Sequence, residues 1–157
     1  MPLLPTTKLS PNFTAHELGA DKPEADATVV ANLRRVAEWL QTVRGIIMVP
    51  LRVTSGFRTP LGNVEAGGAA DSDHTKGLAA DFVAVGLTPF EVYQRLAKAQ
   101  EMRQVPSFDQ LIYYVADNHI HVGLDGTRQR GEILLRTTEG SYVTLAGSYV
   151  TRIRGYL

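Results

Sequence analysis

Four histidines occur in the 157-residue chain, and two of them, His119 and His121, stand two apart in the run His119-Ile120-His121-Val122-Gly123. Alternate residues of a strand share a face, so this spacing predicts two imidazoles side by side. A third, His74, closes a glycine-rich stretch, and shortly after it Asp81 interrupts the apolar run Ala79-Ala80-Asp81-Phe82-Val83-Ala84-Val85. A carboxylate in a buried strand is costly unless it is paired or coordinates a metal. Two imidazole nitrogens and one carboxylate oxygen at about 2.0–2.2 Å, with water in the fourth position, make an open tetrahedral zinc site. The same residues admit a plainer account, in which the strand histidines are solvated at a sheet edge and Asp81 pairs with an arginine. The chain has no cysteine, so thiolate zinc sites, disulfides and cysteine nucleophiles are excluded, and a metal would have to be held by His, Asp or Glu.

The elements that must position these residues follow from patterning. Thr14-Ala15-His16-Glu17 has the spacing of a capping box and predicts a short first helix, with His16 exposed on it and without a role. Val29, Leu33, Val36, Leu40 and Val43 recur at helical steps, predicting an amphipathic helix from about Asp26 to Val43 that ends at Gly45. Leu51 to Ser55 alternates like a half-buried strand. Gly56 to Gly77 contains five glycines and reads as one long loop without regular structure, the first place to look for a site. Ala79 to Val85 reads as a buried strand. A second capping box, Thr88 to Glu91 with Pro89 at the first helical position, starts a helix running to about Glu101, whose inward stripe is Phe90, Tyr93, Leu96 and Ala97. Gln110 to Tyr114 and His119 to Gly123 predict a hairpin. Glu132 to Arg136 and Ser141 to Leu145 predict another, with a last strand over Tyr149 to Ile153.

Length and composition set the outer limits. A chain of this size is expected to be one domain over 1–157, with 44% apolar and 20% charged residues, enough to bury a core. Sixteen basic residues balance sixteen acidic ones, which is not the overall electrostatic footprint of a nucleic-acid binder. No window reaches the length of a membrane span, and Met1 to Lys8 lacks the pattern of a signal peptide. The expectations are a monomer without nucleic-acid or membrane partners, cytoplasmic until released.

Taken together, Ser55-Gly56-Phe57-Arg58-Thr59-Pro60, Gly67-Gly68, Ser72-Asp73-His74 through Asp81-Phe82, Phe108-Asp109-Gln110-Leu111-Ile112 and His119 through Gly123 closely resemble the zinc D-alanyl-D-alanine carboxypeptidases and peptidoglycan endopeptidases, phage endolysins included. The resemblance spans roughly Leu9 to Leu145. It implies one zinc ion held by His74, Asp81 and His121, with His119 lining the site. It implies that Arg58 contacts substrate beside the metal, where a guanidinium can hold a carboxylate or stabilise an oxyanion. Ser72 would bond either backbone or the substrate terminus. The implied fold is α+β of the hedgehog/DD-peptidase type, a small mainly antiparallel sheet with helices packed on one side. The implied activity is zinc-dependent hydrolysis of peptide bonds in bacterial peptidoglycan, as a D-Ala-D-Ala carboxypeptidase or an L-Ala/D-Glu-type endopeptidase. The alternative is a non-catalytic, zinc-holding cell-wall or structural module of the same fold.

One departure bears on mechanism. Relatives carry an acidic general base three residues before the last ligand or at the end of the preceding strand; here Asn118 and Tyr114 stand there. The choice for the base lies between Asp117, in the expected turn, and His119, on the same strand face as His121. Asp117 is favoured because a carboxylate remains a competent base at neutral pH, whereas an imidazole beside zinc loses proton affinity.

Overall fold

The computed structural model describes residues 1–145. Two short strands, β1 (Lys8–Ser10) and β2 (Phe13–Thr14), pair with each other and lead into α1 (Ala15–Leu18). The Thr14/Glu17 capping box forms as expected, and Gly19 closes the helix in the left-handed conformation. The long helix α2 (Ala27–Ile47) is capped by Asp26, whose carboxylate accepts from the Val29 N–H. It does not stop at Gly45. Ile47 is fully buried, so the helix continues one more half-turn to seat it and ends at Met48, at φ 59°.

Six strands form the main sheet, in the order β3-β4-β6-β5-β7-β8: β3 (Leu51–Ser55), β4 (Ala79–Ala84), β5 (Gln110–Tyr114), β6 (His119–Gly123), β7 (Glu132–Arg136) and β8 (Tyr142–Thr144). All neighbours are antiparallel except β5 and β7. Both expected hairpins are present, and the parallel β5–β7 contact is the addition. Its cause lies in the connection after β6. Asp109, just before β5, accepts from Arg130 Nε at 2.8 Å and Nη2 at 2.9 Å, and its carbonyl accepts from the Glu132 N–H. The start of β7 is thereby tied to the start of β5, which leaves only a parallel course. The strand expected over Tyr149 to Ile153 lies outside the described residues.

The register sorts side chains by face. Ala80, Phe82, Leu111, Tyr113, Ile120, Val122 and Leu135 are on one side, all buried. Against them pack α2, through Leu33, Val36 and Leu40, and α4 (Pro89–Glu101), which carries the Thr88/Glu91 capping box. Trp39 joins the layers, 6.3 Å from the Phe82 ring and 6.2 Å from that of Phe108. The buried stripe of α4 is Val92, Tyr93, Leu96 and Ala99, with Phe90 and Ala97 only half-buried, a small rotation from the expected stripe. Apolar helices on one face of a mainly antiparallel sheet make the fold α+β, as the sequence indicated.

Candidate metal centre

The opposite sheet face starts from the same register. Asp81 pairs with His121 across β4 and β6, His121 with Ile112 across β6 and β5, and His119 with Tyr114. Directly opposed residues point the same way, so Asp81, His121, His119 and Tyr114 share one face. His74 arrives from the loop. That stretch, expected from its glycines to be irregular throughout, is not. It contains a short helix, α3 (Pro60–Glu65), capped by Thr59 with proline at N1, and a 3-10 turn over Asp73–Lys76. The turn holds His74. Ser72 Oγ accepts from the His74 N–H at 3.3 Å, and Gly77 closes the turn at φ 71° with no room for a Cβ against the Val29 carbonyl. Ser72, a candidate for substrate contact, thus has a structural duty while also lining the cavity.

His74 is buried, and its Nδ1 lies 2.7 Å from the Gly56 carbonyl oxygen. A carbonyl only accepts, so Nδ1 carries a proton, while Nε2 faces Asp81 Oδ1, 3.2 Å away, donating to it when the ring is doubly protonated and offering a lone pair to a metal when it is neutral. Gly56 also packs against the end of α1, where a Cβ would collide with the Leu18 carbonyl, so only glycine fits there. His121 Nδ1 lies 2.8 Å from the same Asp81 oxygen. Burial would raise the Asp81 carboxyl, but its bonds to His121 and His74 outweigh it and hold the group well below the usual carboxylate range. The second oxygen, Oδ2, accepts from Arg58 Nη2 at 3.1 Å, and Arg58 Nε is fixed by Ser55 Oγ at 3.0 Å.

One donor atom from each of His74, Asp81 and His121 falls within 4.8 Å of the others. Donors on a tetrahedral zinc at about 2.0–2.1 Å are about 3.3 Å apart. The observed 3.2 and 2.8 Å separations are close to that, and the donor set, two neutral imidazoles and an ionised carboxylate, suits the ion. The residues present therefore fit a zinc ion, with Arg58 orienting Asp81 from outside, as carboxylate ligands commonly require.

The three residues sit in a cavity of about 540 Å³. His119 and Arg58 line it as expected; His119 stacks on the Tyr114 ring at a centroid distance of 4.4 Å. Asp117 is not brought there. It is exposed in the β5–β6 turn, which Asn118 completes at φ 49°, and it is not among the residues lining the cavity. His16 is exposed and bonds Asp21. Sequence reasoning missed Tyr114, Arg136 and Tyr142 as cavity residues. Tyr114 stood where an acid was sought, and the other two reach the site only through the β5–β7 pairing. A second carboxylate group, Asp73, Asp109 and Asp125, lies nearby, with Asp109 and Asp125 neutralised by Arg130 and Arg128.

A partly buried His-Asp-His donor set beside an open cavity on an α+β scaffold is the arrangement of an open metal centre, the kind metal-dependent hydrolases use. The family model described as Peptidase M15 matches residues 11–123, and the chain belongs to that family of zinc-dependent metallopeptidases. A comparison with curated proteins found no match.

Proposed function

We propose that the protein cleaves peptide bonds of bacterial peptidoglycan, with zinc held by His74, Asp81 and His121. The observation that carries this reading is the Arg58–Asp81–His74/His121 constellation at the floor of an open cavity. Zinc bound there supplies Lewis acidity, activating water and polarising a carbonyl. The chain's own residues do the rest. The Gly56 carbonyl keeps His74 in the tautomer with a free Nε2. Arg58 holds Asp81 through Nη2, and because Arg58 lines the cavity and its Nη1 has no hydrogen-bond partner among the described residues, we assign Nη1 as a donor for developing negative charge. His119 is the side chain of the two weighed for the base that lines the cavity, and its stacking on Tyr114 fixes the ring, so we assign proton transfer to it.

The cavity is lined by the loop residues Gly67 and Gly68, which lead toward β4, and by Arg136 and Tyr142 on β7 and β8. The proposed ligands on β4 and β6 are separated from β7 and β8 by β5, so the cavity extends well past them along the sheet. Such a cleft suits a peptide extended on both sides of the scissile bond, which supports an endopeptidase over a carboxypeptidase. The protein would act at the bacterial wall, in lysis or remodelling. Digestion of purified peptidoglycan by the zinc-loaded protein, followed by mass analysis, tests this reading. Fragments with new internal termini are expected. Release of terminal D-Ala alone would make it a carboxypeptidase, and equal action on casein would overturn the substrate.

A further inference from the structure

Four arginines line the cavity, and three are already neutralised: Arg58 by Asp81, Arg128 by Asp125 and Arg130 by Asp109. Arg136 is different. Its hydrogen-bond partner is the neutral Tyr142 hydroxyl, which accepts from Nη1 at 2.7 Å. Its guanidinium carbon lies 5.1 Å from the Tyr142 ring centroid and 5.9 Å from that of Tyr114, and the two hydroxyls are 3.5 Å apart. Among the described residues no carboxylate forms an ion pair with Arg136; Asp117 acts on it only at longer range. Two aromatic faces restrain the guanidinium while leaving its edge donors available, and a restrained planar fork matches the two oxygens of a carboxylate.

Register places this group relative to the metal ligands. His121 pairs with Ile112, Ile112 with Leu134, and Arg136 is two residues further along β7. Two strand spacings and two residues of rise put the His121 and Arg136 Cα atoms about 12 Å apart. That is the span of three or four extended residues, shortened by the reach of both side chains. Both Arg136 and Tyr142 lie beyond the residues matched to the family.

We infer that Arg136, flanked by Tyr114 and Tyr142, forms an anion subsite that takes a carboxylate of the substrate peptide one to three residues from the scissile bond. The inference rests on the peptidase reading and adds to it a charge requirement: stem peptides with a free carboxyl at that distance are preferred over their amidated counterparts. The Tyr142 hydroxyl, accepting from Arg136, has its own proton to donate to the same carboxylate.

The test is steady-state hydrolysis of two stem-peptide fragments, identical except that the D-Glu carboxyl is free in one and amidated in the other, by zinc-loaded parent, Arg136→Ala and Arg136→Lys proteins. The parent is expected to show a KM about tenfold lower for the free acid, Arg136→Ala to lose that preference with kcat and zinc content unchanged, and Arg136→Lys to recover part of it. A merely structural arginine would alter both fragments alike and lower the Tm. An Arg136→Ala effect equal on the two fragments, or no preference in the parent, would overturn the subsite while leaving the peptidase intact. Zinc-loaded parent that cleaves neither fragment nor whole peptidoglycan would sink the peptidase reading itself, and the subsite with it.

Discussion

The two faces of the six-stranded sheet are made from the same strands and differ in almost everything else. On the helix side, Phe82, Ile120 and Val122 are buried under α2 and α4 and make apolar contact only. On the cavity side their immediate neighbours Asp81, His119 and His121 line the cavity, in the same strands and one residue out of step. Period-two alternation thus segregates stability from reactivity: one face excludes water and the other concentrates polar groups. A change on one face should therefore leave the other's property largely intact.

The sharpest way to break that comparison is a paired substitution. His121→Ala is expected to abolish stoichiometric zinc binding and lower turnover by about a thousandfold or more, with only a small change in the Tm of the metal-free protein. Metal analysis and calorimetry on one preparation check it, and retention of parental zinc would remove His121 from the ligand set. Its counterpart, Phe82→Ala, should cost about 3–5 kcal/mol of stability in urea denaturation while the folded fraction keeps its zinc. If Phe82→Ala lost zinc without losing stability, the two faces would not be separable as described.

Within the cavity face the effects should grade with distance from the ligands. Arg58→Ala is expected to lower kcat/KM by about a hundredfold with zinc still bound at saturating metal, because the donor to the developing charge and the restraint on Asp81 go together. His119→Ala should lose about tenfold to a hundredfold. Asp117→Asn should stay within about threefold of the parent, since the residue is exposed in the turn. A larger loss in Asp117→Asn than in His119→Ala, at equal zinc content, would return the base to the turn carboxylate.

The last expected effect belongs to the tie between the starts of β5 and β7, and it is read in pH dependence. The hydrogen bonds from Arg130 hold the buried Asp109 carboxyl below its ordinary range, against the opposing effect of burial. A depressed folded-state pKa contributes stability that is present above the unfolded value, near 4, and lost as pH falls through the lower folded value. Asp109→Asn should accordingly be less stable than the parent at pH 7 but lose less on acidification below about pH 4. Parallel denaturation curves for the two proteins across that window would show that the Asp109 pair is not linked to acid stability.

Much was legible without coordinates. The strands Leu51–Ser55, Gln110–Tyr114 and His119–Gly123 and the helix beginning at Pro89 follow from alternation, helical spacing and capping, all local in sequence. The cost of burying a carboxylate in an apolar strand singled out Asp81, and the resemblance carried by Ser72 through Asp81 and by His119 through Gly123 named His74 and His121 beside it. What failed locally failed for tertiary reasons. Gly45 is a fair helix stop until Ile47 has a core to fill, and Thr59-Pro60 reads as a turn although it caps α3. Only the folded chain decides that the Asp109–Arg130 pair sets β7 parallel to β5, because that choice depends on groups about twenty residues apart meeting under burial. From that one pairing follow the position of Arg136 beside Tyr114 and the reach of the cavity past the proposed metal ligands, neither of which any periodicity encodes.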